Sequence, residues 1–239
     1  MPEQPDIPST LEEFRNSEQV VDPPVVAVSS PIEPEIWPRY GNNCLVFFPT
    51  TNEDKIVPFH NHFKNTKPDD VGILYFLNIP VPDHGVPQPY NEEGPKAAER
   101  RAKDAKRLLE QNYPNYREHH RIGPTYIAVV ESAYQIDGVD RPVDYATISI
   151  YDALTGKVVT AISKGVTLNP WFVEEARSQG FTNGNKNCGV MTPGAVLAKT
   201  IKGVDAQKWH EDACGKARRE ILDDAIKDMP MPQGKCKSS

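Results

Sequence analysis

Polar and apolar residues alternate most regularly between Asp144 and Tyr151. The odd-numbered positions there hold Tyr, Thr, Ser and Tyr, whereas the even-numbered positions hold Ala, Ile and Ile. This two-residue period is typical of a strand with one buried face. Apolar segments at Tyr126–Tyr134 and Lys157–Ile162 flank it, and Gly156 provides a residue that accepts positive φ in a tight turn. The pattern therefore predicts a three-stranded antiparallel meander.

The remaining apolar runs predict further strands and helices around this meander. Asn43–Phe48 and Gly72–Ile79 are short, are followed by prolines, and have the character of strands; Val196–Ile201 could be another short strand. Apolar residues three and four positions apart predict helices at 96–111, 170–179 and 205–228. We therefore expect an α+β fold with a mainly antiparallel (mixed) sheet of five to six strands, covered by two to three helices.

Composition changes at both ends of the chain. Residues 1–38 hold eight prolines and many carboxylates but few large apolar residues, which predicts a disordered acidic arm, within which Thr10–Arg15 could form a short helix. Residues 39–230 are expected to form a single α+β domain. Residues 231–239 are expected to form a flexible basic tail.

Charge and cysteine content limit the class of protein. The formal net charge is -6 and the pI is about 5.6, so bulk charge does not attract nucleic acid. The sequence contains no apolar run long enough to span a membrane and no secretory signal. Four scattered cysteines favour reduced thiols in an intracellular, cytoplasmic or nuclear setting. The leading hypothesis is therefore a non-catalytic binding or interaction protein with an unknown protein partner and no cofactor.

A dense group of basic residues lies in and after the helix predicted at 96–111. These cations could bind phosphates, and the interleaved Tyr113 and Tyr116 could stack on bases, so nucleic acid is a possible partner. The alternative is a solvated helix face whose charges are balanced by neighbouring carboxylates. The candidate nucleic-acid-binding residues are Arg100, Arg101, Lys103, Arg107, Arg117 and Arg121.

Two histidines are separated by one residue, at His60 and His62. In a strand both imidazoles would point to one side, an arrangement that suits Zn²⁺, and His84 could be a third ligand. These residues define an alternative hypothesis, a metal-dependent enzyme with a His-x-His site. The competing interpretation is a polar loop with two exposed histidines.

Glu131 is a carboxylate at the inner end of the first strand of the meander, next to Val129 and Val130. The strand with Glu131, the loop after it, the second strand and the Thr-Gly-Lys-Val hairpin at 155–158 follow one another as in the DEDD-type 3′–5′ exonucleases. Residues 127–176 therefore resemble degenerate members of this group of the ribonuclease H-like superfamily.

The resemblance implies a protein that acts on nucleic acid with Mg²⁺ or Mn²⁺. Glu131 and Asp212 would then be the catalytic carboxylates. Val129 stands where this family has a metal-binding aspartate, and Gln207 stands where it has a histidine before the last aspartate. Because valine cannot bind a metal ion, the resemblance points to a member that binds rather than cuts.

Overall fold

The structure is a computed structural model that describes residues 7–24, 37–82 and 87–232. The strands in chain order are β1 (Val20–Val21), β2 (Asn43–Phe48), β3 (Leu74–Asn78), β4 (Gln88–Pro89), β5 (Ile122–Gln135), β6 (Val143–Asp152), β7 (Val158–Ile162), β8 (Gly165–Thr167) and β9 (Cys188–Gly189). The helices are α1 (Leu11–Phe14), α2 (Glu53–Thr66), α3 (Glu93–Asn112), α4 (Tyr116–His119), α5 (Pro170–Ser178), α6 (Pro193–Thr200), α7 (Trp209–Cys214) and α8 (Arg218–Ile226). A single 3₁₀ turn covers Thr182–Gly184.

Seven of these strands form one mixed sheet in the order β1-β8-β6-β5-β2-β3, with β7 pairing β6 beside β8. The predicted meander is confirmed, because β5 pairs antiparallel with β6, and β6 pairs antiparallel with β7. Strands β4 and β9 form a second, two-stranded sheet. The sheet is therefore larger than the predicted five to six strands.

Two parallel pairs account for the mixed character of the sheet. Strand β2 lies between β3 and β5 and is parallel to both. Parallel neighbours need a crossover, and α2 supplies it between β2 and β3. The sequence showed this segment only as a loop with two histidines, because Pro58 inside α2 is a residue that usually ends a helix. Asn52 caps the helix by accepting a hydrogen bond from the Asp54 amide.

Alternate residues of the central strands are buried on opposite faces of the sheet. Helix α3 packs on the face that includes Leu45 and Ile127, whereas α2 and α8 pack on the face that includes Val46 and Ala128. Helices α5, α6 and α7 gather around Phe172 in a third cluster, at the β8 end of the sheet. No helix in the described residues is long and apolar enough to cross a membrane.

Two of the predicted elements differ from the structure. The strand predicted at Val196–Ile201 is helix α6, whose first turn is set by the Thr192 cap and by Pro193 at its start. The helix predicted at 205–228 is two helices, because Gly215 has φ of +71° and ends α7 in the left-handed conformation. The helices predicted at 96–111 and 170–179 correspond to α3 and α5.

Part of the predicted disordered arm is folded onto the domain. Residues 7–24 contain α1, with a capping box between Thr10 and Glu13, and β1, which pairs with β8. Phe14 is fully buried. Composition could not indicate this packing, because a single phenylalanine among carboxylates and prolines carries no periodic signal. Residues 1–6 and 25–36 of the predicted arm, and 233–239 of the predicted tail, lie outside the described residues.

Candidate functional site

A polar cleft opens where β2 ends and β5 continues. Strand β2 stops at Phe48, whereas β5 runs on to Gln135. The last partner of β5 in β2 is Ile127, and Tyr134 forms an isolated parallel bridge with Tyr90, so between these two positions β5 has no strand partner on that side in the described part of the chain. Two lobes, of about 440 and 360 Å³, share Asn52, Lys55 and Arg101 in their walls. Volumes in this range suit a small ligand, and the carboxyl ends of parallel strands are the usual place for one in α/β sheets.

Lys55 lies in the first turn of α2 and contributes to both lobes. Its ammonium donates to the Val130 carbonyl oxygen at 3.1 Å, on the edge of β5 that β2 leaves uncovered. Burial lowers the pKa of Lys55, and the nearby Glu131 carboxylate counteracts part of that effect. An ammonium group has three donors, and this carbonyl uses one of them.

Glu131 and Arg101 form an ion pair in the wall of the cleft. The Arg101 Nε atom donates to the Glu131 carboxylate at 2.8 Å, and Glu131 is 7% exposed. Glu131 projects toward α3 from the face of β5 opposite Ser132, as strand alternation requires. The structure therefore places the predicted Glu131 in the cleft, with a cation already paired to it.

Four polar side chains from four elements meet at the far wall. Asp144 on β6 contacts the Nε2 atom of His210 on α7 at 2.6 Å and accepts a short hydrogen bond from Arg218 on α8. Arg218 also donates to the Ser132 hydroxyl on β5 at 2.9 Å. Asp144 and His210 are each 4% exposed. Their polar atoms have lost most of their contact with water, so hydrogen bonds and opposite charges from neighbouring residues must replace it.

The pKa values in this wall follow from that pairing. Burial alone raises the pKa of Asp144, but the Arg218 charge and the His210 hydrogen bond outweigh it and hold the pKa below its ordinary value. Burial lowers the pKa of His210, and Asp144 opposes that effect only in part. Asp144 is therefore ionised and His210 neutral near pH 7.

The other predicted carboxylate, Asp212, lies outside the cleft. It forms an ion pair with Arg15 at 3.6 Å, and its backbone carbonyl accepts from the Asn16 amide. Asp212 thus helps to hold the N-terminal segment against α7. The structure does not bring Asp212 together with Glu131 in the walls of the cleft.

The predicted basic residues lie in different surroundings. Arg101 enters the cleft, and Arg117 is buried, where it donates to the Thr125 hydroxyl and to backbone carbonyls. Three others pair with carboxylates: Arg100 with Glu93, Lys103 with Glu99, and Arg107 with Asp104. Arg121 is exposed at a positive φ. Arg100, Lys103 and Arg107 thus share one face of α3, at spacings of three and four residues, whereas Arg101 and Arg117 lie elsewhere.

The predicted His-x-His pair lies on α2 rather than on a strand. Residues two apart on a helix point in different directions: the His60 ring lies 3.9 Å from the Phe76 ring, whereas the His62 ring lies against Phe63. Burial lowers the pKa of both histidines. The described residues contain no cluster of three metal-ligating side chains, and the third predicted ligand, His84, lies outside them.

Sequence analysis missed Lys55, Asp144 and Arg218. Lys55 follows the polar turn after an apolar strand, a signal that would have been usable had α2 been recognised as a crossover helix. Asp144 and Arg218 are 74 residues apart, so only the tertiary fold brings them together.

Comparisons with known proteins add the fold only. No protein-family model matches the chain, and no curated protein matches it. The structure is similar to the crystal structure of protein VC0702 from Vibrio cholerae, with a TM-score of 0.51 and 15% sequence identity, over 77% of this chain and 90% of that chain. At this identity the similarity supports a shared fold and says nothing about a shared ligand.

Proposed function

We propose that this protein binds a small phosphate-bearing molecule in the cleft between α2, α3 and the end of β2. The observation that carries the proposal is the position of Lys55. Its ammonium lies in the wall of the cleft, where burial lowers its pKa. In the described part of the chain, the ammonium donates one hydrogen bond, to a backbone carbonyl. A half-buried cation with spare donors is stabilised by an anionic ligand.

The surrounding groups fit a ligand with concentrated negative charge. Arg101 uses its Nε and one terminal nitrogen on Glu131, which leaves the other terminal nitrogen to donate to a ligand. Lys55 belongs to the first turn of α2, and the N-terminal end of a helix favours anions. Arg101 and Arg218 each pair with a carboxylate, and the third carboxylate of the lining, Asp54, pairs with Arg219. Among the described cations of the lining, Lys55 therefore has no carboxylate partner.

The test is the substitution of Lys55 by methionine, which keeps most of the apolar stem and removes the charge. Lys64→Met is the matched control, because Lys64 is an exposed residue of the same helix. Binding of inorganic phosphate and pyrophosphate is measured by isothermal titration calorimetry. Loss of a charged hydrogen bond costs about 1.5–3 kcal/mol, so we expect Lys55→Met to weaken binding by roughly 10- to 100-fold.

Two results would refute the proposal. One is a wild-type protein that binds neither anion; the other is a Lys55→Met variant that binds as tightly as Lys64→Met. The folded state of each variant is checked by circular dichroism before titration. Raising the salt concentration should weaken wild-type binding, because the interaction is electrostatic.

A second candidate function is metal-assisted hydrolysis of a phosphate ester. Its support is the presence of Glu131 in the same cleft as Lys55, where the carboxylate could bind Mg²⁺ or Mn²⁺ together with a ligand phosphate. This is the role that the ribonuclease H-like resemblance implies for Glu131. Single-stranded DNA and a chromogenic phosphate ester, each with Mg²⁺ or Mn²⁺, are suitable substrates.

Glu131→Gln should abolish any such hydrolysis, whereas Glu174→Gln, an exposed residue of α5, should not change it. Turnover that persists in Glu131→Gln would exclude this role for Glu131. Because binding needs only Lys55 and Arg101, the binding function can hold when hydrolysis is absent.

A further inference from the structure

The far wall of the cleft contains a chain of buried polar contacts. His210 contacts Asp144, Asp144 binds Arg218, and Arg218 donates to Ser132. Arg218 donates as well to the Tyr145 carbonyl oxygen at 3.3 Å. Each contact fixes the next residue, and Ser132 and Arg218 both line the lobe that Lys55 and Glu131 share.

The contacts of the imidazole determine which nitrogen carries its proton. The Nε2 atom lies 2.6 Å from the Asp144 carboxylate, which can only accept a hydrogen bond while it is ionised. The Nε2 atom also lies 3.0 Å from Nη1 of Arg218, which donates to the same Asp144 oxygen. Because the contact with the carboxylate is the shorter of the two, we assign the imidazole proton to Nε2, so that Nε2 and Arg218 both donate to Asp144. The Nδ1 atom is buried and has no hydrogen-bond partner in the described residues, so a second proton there would have no acceptor.

We infer that His210 is a positioning residue: its neutral imidazole orients Asp144, which holds Arg218 and Ser132 in the wall of the anion-binding cleft. The inference rests on the proposed function, because this wall lines the cleft in which the anion is proposed to bind. The His210 ring packs 4.0 Å from the indole of Trp209, and its Nε2 atom contacts both Asp144 and Nη1 of Arg218.

Protonation of His210 would disturb this arrangement. Two cations, His210 and Arg218, would then lie 3.0 Å apart, and the Nδ1 proton would be buried without an acceptor among the described residues. Of the charged residues around α7, Asp212 pairs with Arg15 and Glu18 pairs with Arg141. Lys55 and Glu131 lie across the cleft. Anion binding should therefore weaken in acid as His210 takes up its second proton.

Two variants separate the hydrogen bond from the packing. His210→Phe keeps an aromatic ring against Trp209 and removes the donor to Asp144. His210→Gln keeps a donor at nearly the same reach and cannot titrate. The probe is inorganic sulfate, since its charge stays constant over the pH range used, and its dissociation constant is measured by calorimetry between about pH 5 and pH 8.

We expect His210→Phe to bind sulfate about tenfold more weakly than wild type at the upper pH, because a charged hydrogen bond that orders the wall is lost. At the upper pH, His210→Gln should bind sulfate within about twofold of wild type. At low pH its affinity for sulfate should decrease less than that of wild type, because glutamine does not titrate. The imidazole ¹⁵N chemical shifts of wild type should report the Nε2–H tautomer.

The outcomes distinguish this inference from the function on which it rests. A wild-type protein that fails to bind sulfate at any pH overturns both. If wild type binds and Lys55→Met does not, but His210→Phe matches wild type, only the positioning role fails. Should His210→Phe not fold, an identical pH dependence of sulfate binding in wild type and His210→Gln would overturn the role of His210.

Discussion

Replacing Phe14 by alanine tests whether the N-terminal segment is part of the folded core. Phe14 has no exposed surface, and its ring lies edge-on to that of Phe172 with the centroids 6.4 Å apart. It belongs to the cluster that includes Trp209, next to the cleft histidine. Removing the ring therefore creates a cavity between α1, α5 and α7.

The magnitude follows from complete burial. Truncating a core phenylalanine to alanine costs about 3–5 kcal/mol, from lost transfer free energy and from the cavity. Detachment of the segment would also cost free energy, because Glu18 is buried and accepts hydrogen bonds from the Asn169 amide and the Thr167 hydroxyl. For a chain of this size the loss corresponds to a decrease in Tm of roughly 6–20 °C.

The assay is chemical denaturation followed by circular dichroism, with Glu12→Ala as the control on the exposed side of the same helix. Hydrogen exchange adds a local measurement, because the Asn16 and Glu18 amides donate to carbonyls of α7 and should lose protection in Phe14→Ala. A free energy of unfolding within about 0.5 kcal/mol of the control would refute the packing of this segment.

Two further predictions concern the cleft and its pH response. Gly194→Ala should lower the free energy of unfolding by about 1–3 kcal/mol, because the new Cβ would lie 2.2 Å from the Ala206 carbonyl oxygen; Ala198→Ser, exposed on the same helix, is the control. Stability should also fall in acid. The folded-state pKa values of His210 and Asp144 lie below their ordinary values of 6.5 and 3.8, so their contributions are complete above those values and are lost as pH falls through the folded-state values. A denaturation series in which His210→Gln loses as much stability as wild type below pH 6.5 would contradict the histidine contribution.

The elements that sequence analysis predicted correctly are those whose side chains repeat locally. The meander and helices α3 and α5 each carry a period of two, or of three to four, that matches the face they bury. Helix α2 has the same kind of signal, with Ile56, Phe59 and Phe63 buried on one side. There Pro58 and the two histidines interrupt the apolar repeat, so the local pattern does not identify the helix.

Of the residues that line the cleft, Glu131 and Arg101 were among the candidates predicted from the sequence. The others depend on contacts between distant parts of the chain. Glu131 could be found because a carboxylate in an apolar strand conflicts with its surroundings. Asp144 conflicts in the same way on β6, yet it stands at the start of the alternating pattern, where a polar residue suggests a strand end. Its burial becomes evident only when α8 supplies Arg218.

The first turn of α8 shows how distant parts of the chain set the geometry of the cleft. Arg218 binds Asp144 on the sheet, and the next residue, Arg219, binds Asp54 at 2.7 Å in the first turn of α2, beside Lys55. The two links differ in strength. Breaking a buried pair costs about 3–5 kcal/mol, whereas an exposed pair contributes about 0–1 kcal/mol. The Arg218–Asp144 pair therefore fixes the sheet side of the cleft, whereas α2 is held mainly by the burial of Ile56, Phe59 and Phe63, and the Arg219–Asp54 pair adds little to it.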